Sequence, residues 1–332
     1  MSATLSVVRD DALAQKNPLV SVCVLAYNQE EYIATALDSV LEQEVAFDYE
    51  LIVGDDGSTD ATRKILREYQ QAYPSRIRLN LHEEHDDGIP GRQNMVTNLR
   101  SARGKYVALL DGDDYWISDD KLQRQTEFLE SHPDVAFSFH NALHDFRDRG
   151  DGPAGRYLVS EKYRAMQESG FFTHADMVWW RHSSRLEVPA ASVMFRKEIF
   201  DPVPDWFWRV WNADWVQQVY FSTHGRAHYH RDLISYYRRG IPTSMRAMYG
   251  DSLARTRWQI EQTRVLDQIS PIYHQRRDMD LYAHYRQRTR MLLERGLIAR
   301  ATRCLLLGTW SGLRAPQVQL RKRIWKKLLA LF

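Results

Sequence analysis

Three aspartates stand close together at the end of an apolar run. Asp111, Asp113 and Asp114 directly follow Leu109 and Leu110. Carboxylates at this spacing repel one another, and a divalent cation or a cationic ligand relieves the repulsion. Mg²⁺ and Mn²⁺ prefer oxygen ligands, and Mg²⁺ is often held by one or two carboxylates together with substrate phosphates. The cluster therefore favours a metal site built from these three aspartates, with a solvated acidic turn as the alternative for so short a motif.

A second acidic pair, Asp55 and Asp56, lies in the segment Gly-Asp-Asp-Gly-Ser at residues 54–58. Asp and Ser favour turns, and the hydroxyl of Ser58 or Thr59 could cap the helix that follows. Capping does not require two adjacent aspartates. One of them is therefore a candidate acceptor of hydrogen bonds from a ribose or a base.

Alternating strand and helix patterns position these residues. Short apolar runs predict buried strands at residues 19–27, 49–53, 77–81 and 105–110, and helical spacing predicts helices at residues 60–69 and 93–102. Asn28 with Glu31 matches a capping box at the start of another helix. Strands that alternate with helices imply an α/β fold with a Rossmann-like, mostly parallel sheet, whose ligand binds beyond the carboxyl ends of the strands. Tyr27 and Asn28, the Asp55–Asp56 pair and the Asp111–Asp114 cluster all lie at such ends.

Three segments in this order resemble the family 2 glycosyltransferases of the GT-A fold. They are residues 20–28 (VSVCVLAYN), 54–60 (GDDGSTD) and 109–116 (LLDGDDYW). A weaker resemblance continues through residues 191–196, 212–215 and 236–238. It implies an inverting, metal-dependent enzyme with Mn²⁺ or Mg²⁺ as cofactor. Such an enzyme transfers a sugar from a nucleotide-diphosphate donor, with UDP-sugars favoured, to the hydroxyl of a glycan or lipid-linked acceptor in polysaccharide, O-antigen or other cell-surface glycan synthesis.

The resemblance also implies roles for the donor side of the site. Tyr27 packs near the donor base, and Asn28 belongs to the same strand end. Asp56 accepts a hydrogen bond from the base, with Asp55 beside it. Arg92 occupies the position of a basic donor contact.

The remaining implied roles concern the metal, the diphosphate and the acceptor. Asp113 is the direct metal ligand, and Asp111 lines the nucleotide side of the same site. Arg238 belongs to a tyrosine-arginine pair near the diphosphate, and Asp214 is the general base. Many family members have a histidine two residues after the arginine that Arg238 matches. This chain has glycine there, so the neighbouring Arg239 is the candidate for the missing positive charge.

Composition and charge predict a domain organisation with a basic C-terminus. We expect a tail at residues 1–17, a nucleotide-sugar-binding half at 18–115, an acceptor-binding half at 116–245 and a helical region at 246–332. After Arg295 there is no Asp or Glu, and eight Lys or Arg follow. Residues 317–332 place Leu320, Ile324, Leu328 and Leu331 on one helical stripe beside cations. This pattern predicts an interfacial helix at an anionic membrane surface, with packing on its own domain as the alternative. No nucleic-acid-binding module accompanies the basic helix.

Bulk properties limit the class of protein. Of the 332 residues, 44% are hydrophobic and 27% are charged, which indicates a folded chain. Two cysteines build no disulfide framework, and we recognise neither a secretory signal nor a transmembrane run, so we expect a cytoplasmic protein that can attach to the inner face of the membrane. The segment after the first strand lacks the glycine-rich loop of a sugar-phosphate nucleotidyltransferase. A non-catalytic sugar-nucleotide or glycan-binding protein of the same fold stays open as the alternative function.

Overall fold

The computed structural model of the chain describes residues 5–8, 17–85, 89–145, 156–162, 164–182, 186–210, 213–241 and 253–314. The chain divides into two compact units. One comprises Met1–Pro204 with Phe221–Met248, and the other comprises Asp205–Tyr220 with Tyr249–Phe332. This division does not show which residues bind the donor or the acceptor. The boundaries of the donor-binding and acceptor-binding halves therefore stay predictions.

The first unit contains one mixed sheet. Its described strands are β1 (Leu5–Val8), β2 (Val20–Ala26), β3 (Tyr49–Asp55), β4 (Ile77–His82), β5 (Tyr106–Asp111), β6 (Tyr115–Trp116), β7 (Val135–Asp145), β8 (Arg156–Leu158), β9 (Gly170–Phe172), β10 (Met194–Arg196) and β11 (Arg226–Arg238). The sheet order is β1-β4-β3-β2-β5-β10-β7-β11-β6, with β8 on β7 and β9 on β11. Strands β2 to β5 pair in parallel, as do β7 and β11, whereas the shorter strands β1, β6, β8, β9 and β10 pair antiparallel. The predicted α/β fold with a mostly parallel sheet is confirmed.

Helices accompany the sheet and make up most of the second unit. Those of the first unit are α1 (Ile33–Leu41), α2 (Thr62–Ala72), α3 (Arg92–Ser101), α4 (Lys121–Ser131), α5 (Val159–Lys162) and α6 (His174–His182). Helix α7 (Ala213–Ser222) begins in the second unit, which also contains α8 (Leu253–Ile269), α9 (His274–Glu294) and α10 (Ile298–Arg314). The predicted helical character beyond residue 250 is confirmed for α8 to α10. Within the described part of the chain, no helix combines the length and the apolar character needed to cross a membrane.

The central strands form because their side chains are apolar on both faces. Val20, Val22 and Val24 of β2 are fully buried, and so are Leu51 and Val53 of β3. Burying a side chain of this size stabilises the folded state by about 1.5–3 kcal/mol. The continuous apolar runs of the sequence therefore indicate strands covered on both sides, as expected for a parallel sheet between helices.

Three local predictions at the strand ends are wrong. The capping box at Asn28 does not form, because α1 begins at Ile33 with Tyr32 at its N-cap position and no side-chain cap. Asp55, expected in a turn, is instead the last residue of β3. Neither Ser58 nor Thr59 caps α2, since Oδ1 of Asp60 accepts the hydrogen bond from the Thr62 amide at 2.9 Å. Asn28 and Ser58 are instead held across thirty residues of sequence, since the Asn28 amide donates to Oγ of Ser58 at 2.9 Å.

Buried asparagines fix α3 against the carboxyl ends of β2 and β3. Nδ2 of Asn94 donates to the Gly54 carbonyl oxygen at 2.8 Å, and Nδ2 of Asn98 donates to the Val24 carbonyl oxygen at 2.9 Å. A Cβ at residue 54 would lie only 1.9 Å from Oδ1 of Asn94. Glycine is therefore required at this position for α3 to approach the sheet.

We predict that Gly54→Ala destabilises the protein by about 1–3 kcal/mol, the usual cost of overpacking a buried site. The added methyl group must displace Asn94 and with it the start of α3. Chemical denaturation measures the change. The matched control is Gly170→Ala in β9, where no atom lies within 4 Å of the added Cβ and the change should stay within about 0.5 kcal/mol. Equal stability of the two variants would contradict the role of the Gly54 contact.

Candidate active site

The polar ends of β2, β3 and β5 lie side by side at one edge of the sheet. Ala26 pairs with Asp55, and Leu25 pairs with Asp111, so the last residues of the three strands are neighbours. The backbone amide of Asp56 donates to the Ala26 carbonyl oxygen at 3.0 Å. The structure therefore brings together three of the segments that the sequence selected: residues 27–28, 55–56 and 111–114.

Asp55 and Asp56 are both buried, and each has a structural partner. Oδ2 of Asp55 accepts a hydrogen bond from Nε of Arg63 at 2.8 Å. Oδ2 of Asp56 accepts a hydrogen bond from the Gly91 amide at 3.1 Å, which holds the start of α3 next to the acidic pair. Arg92, the predicted basic donor contact, begins α3 and is buried there. The geometry thus gathers Arg92 and Asp56 at the same strand edge.

His85 is a candidate site residue that sequence reasoning missed. Its ring stacks on the ring of Tyr27 with the centroids 4.2 Å apart, and its Nδ1 lies 2.8 Å from Oδ2 of Asp56. The imidazole therefore contacts both side chains that the family resemblance assigns to the donor base. The signal for it in the sequence is its position just beyond the end of the third predicted strand, residues 77–81.

Asn28 connects the first two strand ends rather than starting a helix. Its backbone has a positive φ of 50°, and its Oδ1 accepts a hydrogen bond from the Thr59 amide at 2.8 Å. In return, its own amide donates to Oγ of Ser58 at 2.9 Å. Asn28 thus fixes the loop after β2 against the loop after β3, which positions Tyr27 close to Asp56.

The Asp111–Asp114 cluster forms a tight turn at the end of β5. Asp111 is the last strand residue, and the Asp114 amide donates to its carbonyl oxygen at 3.0 Å. The amide of Gly112 donates to the Leu25 carbonyl oxygen at 2.8 Å, and a Cβ on Gly112 would lie 2.4 Å from Oε1 of Gln29. The turn packs closely against the β2 loop, and a larger residue between the aspartates would have to displace the Gln29 side chain.

Burial makes ionisation of Asp113 and Asp114 unfavourable. It raises the pKa of the Asp113 carboxyl, while a backbone hydrogen bond and the charge of Arg238 act in the opposite direction. The pKa of Asp114 is raised well above its ordinary value, first by burial and then by the charges of Asp113 and Asp111. Cationic charge brought to this turn would favour the ionised carboxylates.

Arg238 contacts this turn directly. Its backbone amide donates to Oδ1 of Asp114 at 2.9 Å, and its guanidinium donates to the carbonyl oxygen of Asp113. The guanidinium also lies 4.7 Å from the ring centroid of Tyr32 and 5.3 Å from that of Tyr115. Antiparallel pairing of β11 with β6 brings Arg238 to the cluster across more than a hundred residues of sequence.

Arg239, the candidate for the missing charge, makes a different contact. Its guanidinium donates to Oε1 of Glu187 and lies 4.4 Å from the ring centroid of Tyr237. His144 approaches the same carboxylate, with Nε2 3.9 Å from Oε1 of Glu187. Burial lowers the pKa of His144 to about 4, with Glu187 opposing the shift, so this histidine is neutral at pH 7. Part of the charge of Arg239 is therefore compensated within the protein.

Asp214, the predicted general base, lies in the second unit. It stands in the first turn of α7 with an exposed side chain. The sheet-edge residues belong to the first unit. The assignment of Asp214 as base therefore stays a prediction.

The described residues do not complete a metal site by themselves. No group of three or more His, Cys, Asp and Glu side chains with metal-binding geometry occurs in the described ranges. The turn nevertheless has features that suit a divalent cation, because Oδ2 of Asp114 is buried without a hydrogen-bond partner and the carboxyl pKa values are raised. Asp113 and Asp111 could supply one or two oxygen ligands, and substrate phosphates would have to supply others.

A family profile described as Glycosyl transferase family 2 matches residues 21–201, more than half of the chain. The chain belongs to this family. An uncharacterised protein of Mycobacterium tuberculosis is 34% identical over 174 residues, which cover 52% of this chain and 49% of that protein. The UDP-Glc:alpha-D-GlcNAc-diphosphoundecaprenol beta-1,3-glucosyltransferase WfgD of Escherichia coli is 38% identical over 123 residues, which cover 37% of this chain and 45% of WfgD. The chain spans about half the length of the curated relatives it matches.

Solved structures show the same fold at low sequence identity. TarS of S. aureus in complex with UDP superposes with a TM-score of 0.57 and 16% identity, covering 94% of this chain and 92% of that one. The mannosyltransferase PcManGT of Pyrobaculum calidifontis, in complex with GDP-Man and Mn²⁺, superposes with a TM-score of 0.54 and 17% identity, covering 96% and 82%. The GT-A fold predicted from the three motifs is therefore confirmed.

We predict that Asp114 acts mainly by holding Arg238 in place. Asp114→Ala leaves the Arg238 amide without its acceptor and should lower the free energy of unfolding by about 1–3 kcal/mol. Asp114→Asn keeps an acceptor oxygen for the Arg238 amide, so it should be distinctly more stable than the alanine variant. Urea denaturation of both proteins measures the difference. An equal loss in the two variants would show that the hydrogen bond to Arg238 contributes nothing.

Proposed function

We propose that the chain is an inverting glycosyltransferase that moves a sugar from a nucleotide-diphosphate donor to an acceptor hydroxyl in cell-surface glycan synthesis. The observation that carries this proposal is the meeting of Asp56, Asp111 and Asp113 with Arg238 at one sheet edge of a family 2 chain. Asp56 can accept a hydrogen bond from the nucleobase, and Asp111 and Asp113 can bind a cation. The guanidinium of Arg238 beside them suits a diphosphate.

The donor base packs near Tyr27 and donates a hydrogen bond to Asp56, with Asp55, Asn28 and Arg92 around it. UDP is the favoured nucleotide, because TarS was solved with UDP and WfgD is named for UDP-Glc. PcManGT was solved with GDP-Man, so a guanine nucleotide is the alternative to be tested. His85 contacts both Tyr27 and Asp56 in this structure, so the nucleobase has to displace it to make the same contacts.

Mn²⁺ or Mg²⁺ is the proposed cofactor, held by Asp113 with Asp111 and, less directly, Asp114. When bound, such a cation stabilises the negative charge that develops on the leaving nucleoside diphosphate. Arg238 is placed to stabilise the same charge from the side of β11. Arg239 contributes positive charge only to the extent that Glu187 leaves it uncompensated.

Asp214 is the proposed general base. It takes the proton of the acceptor hydroxyl while the oxygen bonds to the anomeric carbon and the bond from that carbon to the diphosphate breaks. Direct displacement of this kind inverts the anomeric configuration. The acceptor is a glycan or a lipid-linked sugar, and the name of WfgD supports the lipid-linked class. An anionic membrane contact through residues 317–332 stays a prediction, since that segment lies outside the described residues.

A non-catalytic sugar-nucleotide-binding protein of the same fold is the second candidate. It is favoured by the hydrogen bonds of Asp55 to Arg63 and of Asp114 to the Arg238 amide, which give both acids structural roles. Both candidates bind nucleotide, and only the enzyme turns over the donor. Release of nucleoside diphosphate from a UDP-sugar in the presence of Mn²⁺ therefore distinguishes them. If no donor is turned over, either by transfer to an acceptor or by hydrolysis, the result would favour the binding protein.

Asp113→Ala tests the metal assignment. We expect its affinity for UDP in Mn²⁺ to fall to the level that the unaltered protein shows with a chelator, because the coupling between metal and diphosphate is lost. The Arg238 contact uses the backbone carbonyl of residue 113, which alanine retains, so the fold should persist. Isothermal titration gives both affinities, and Asp119→Ala, at an exposed aspartate nearby, is the control. Unchanged Mn²⁺-dependent binding would reject Asp113 as the ligand.

Asp214→Asn tests the base. The amide is nearly isosteric with the carboxylate but cannot accept the proton. We expect kcat to fall by about 10²–10⁴, the usual effect of losing a general base, with UDP affinity nearly unchanged. Asp205→Asn, at another exposed aspartate of the second unit, should leave kcat unaltered. A kcat within a few-fold of the original would remove Asp214 from this role.

A further inference from the structure

Helix α10 packs with its small side chains inward and its large apolar side chains outward. Ala301, Gly308 and Ser311 are buried, and a Cβ on Gly308 would lie 2.8 Å from Cβ of Tyr285 in α9. By contrast, Leu306 is 65% exposed and Trp310 is 64% exposed. The two exposed residues are four positions apart and therefore lie one turn apart on the same side of the helix.

This arrangement is the reverse of an ordinary surface helix, which turns its large apolar residues toward the core. Leu305 and Leu307, which flank Leu306, are also about two-fifths exposed, at 43% and 42%. The small residues on the side of α10 that faces α9 allow the two helices to pack closely. The opposite side exposes Leu306 and Trp310 one turn apart, and exposed apolar side chains that lie together mark contact sites for partners or membranes.

The charges of α10 select the kind of partner. Arg300, Arg303 and Arg314 are exposed, and residues 298–314 contain no Asp or Glu. The nearest preceding acid, Glu294, accepts a hydrogen bond from Nε of Arg290 at 2.8 Å, so it is already compensated. Arg303 lies three residues before Leu306 and seven before Trp310, which places it within about one sixth of the helix circumference of both, on the same side of the helix.

An anionic lipid surface matches this combination better than a second copy of the chain. Leucine and tryptophan side chains enter the boundary between head groups and acyl chains, and tryptophan is favoured at that depth. Arginine stems lie along apolar surface while their guanidinium groups reach anionic head groups. A two-fold dimer through the same face would instead cover the guanidinium groups of both copies, and residues 298–314 offer no Asp or Glu to compensate them.

We propose that Leu306, Trp310 and Arg303 of α10 form a membrane-contact face that lies on anionic phospholipid. The proposal assigns this contact to a described helix and is independent of residues 317–332. It rests on the proposed function only in one respect, namely that a lipid-linked acceptor gives the contact a purpose. The face would hold the enzyme at the surface where such an acceptor resides.

The test uses the full-length protein and the double variant Leu306→Ser/Trp310→Ser. Sedimentation with vesicles of mixed phosphatidylglycerol and phosphatidylcholine should show binding of the unaltered protein. The variant should bind at least about tenfold more weakly, because two apolar side chains no longer enter the lipid. Arg303→Gln should weaken binding about fivefold at low salt and little at high salt. Trp208→Ser, at an exposed tryptophan elsewhere in the second unit, should bind like the unaltered protein.

Several outcomes would overturn the proposal. Vesicle binding equal to that of the unaltered protein would mean that α10 does not contact lipid. A melting temperature several degrees lower in the double variant would mean that another part of the chain covers the face. Dissociation of an oligomer, with vesicle binding unchanged, would make it a protein interface. UDP binding in Mn²⁺, measured on the same variants, should not change; its failure in all of them, with vesicle binding intact, would count against the proposed function alone.

Discussion

The arrangement of residues at the carboxyl ends of β2, β3 and β5 depends on the need to compensate buried carboxylates. Ionised carboxyl groups removed from water are costly unless a cation or several donors face them. Arg63 compensates Asp55, the Gly91 amide and His85 contact Asp56, and the Arg238 amide serves Asp114. Each of these partners comes from a different segment. The acids therefore draw α2, α3 and β11 together, and the candidate donor site is a consequence of that assembly.

The central strands and the polar residues that follow them could be predicted because both depend on local patterns in the sequence. Apolar runs located β2 to β5 to within one or two residues, and a parallel sheet necessarily collects its carboxyl ends at one edge. The loops were harder. Asn28 reads as a helix cap, yet its side chain accepts a hydrogen bond from Thr59, thirty-one residues away. No pattern within a short window carries information about a partner at that separation.

The same limit explains why the cationic side of the site was only inferred from resemblance. Arg238 reaches the Asp113–Asp114 turn because β11 pairs with β6, and the pairing of distant strands is set by the whole sheet. The orientation of α10 was equally hidden. Its apolar residues alone would place Leu306 toward the core, but Gly308 allows such close approach to Tyr285 that the side with small residues packs inward. Size complementarity between helices, rather than hydropathy, decided which side is exposed.

The stacking of His85 on Tyr27 gives the proposed donor site a further physical property. The imidazole is aromatic and lies beside Asp56, so it reproduces the two contacts expected of the donor base. A base that binds there must displace it, and the apparent affinity for nucleotide is then reduced by the fraction of molecules in which His85 occupies the site. The backbone of Glu84 and His85 packs directly against the loop after β3, where a Cβ on Gly57 would lie only 2.6 Å from it. Rotation of the His85 side chain would vacate this position and leave the loop after β3 and the start of α3 in place to receive the donor.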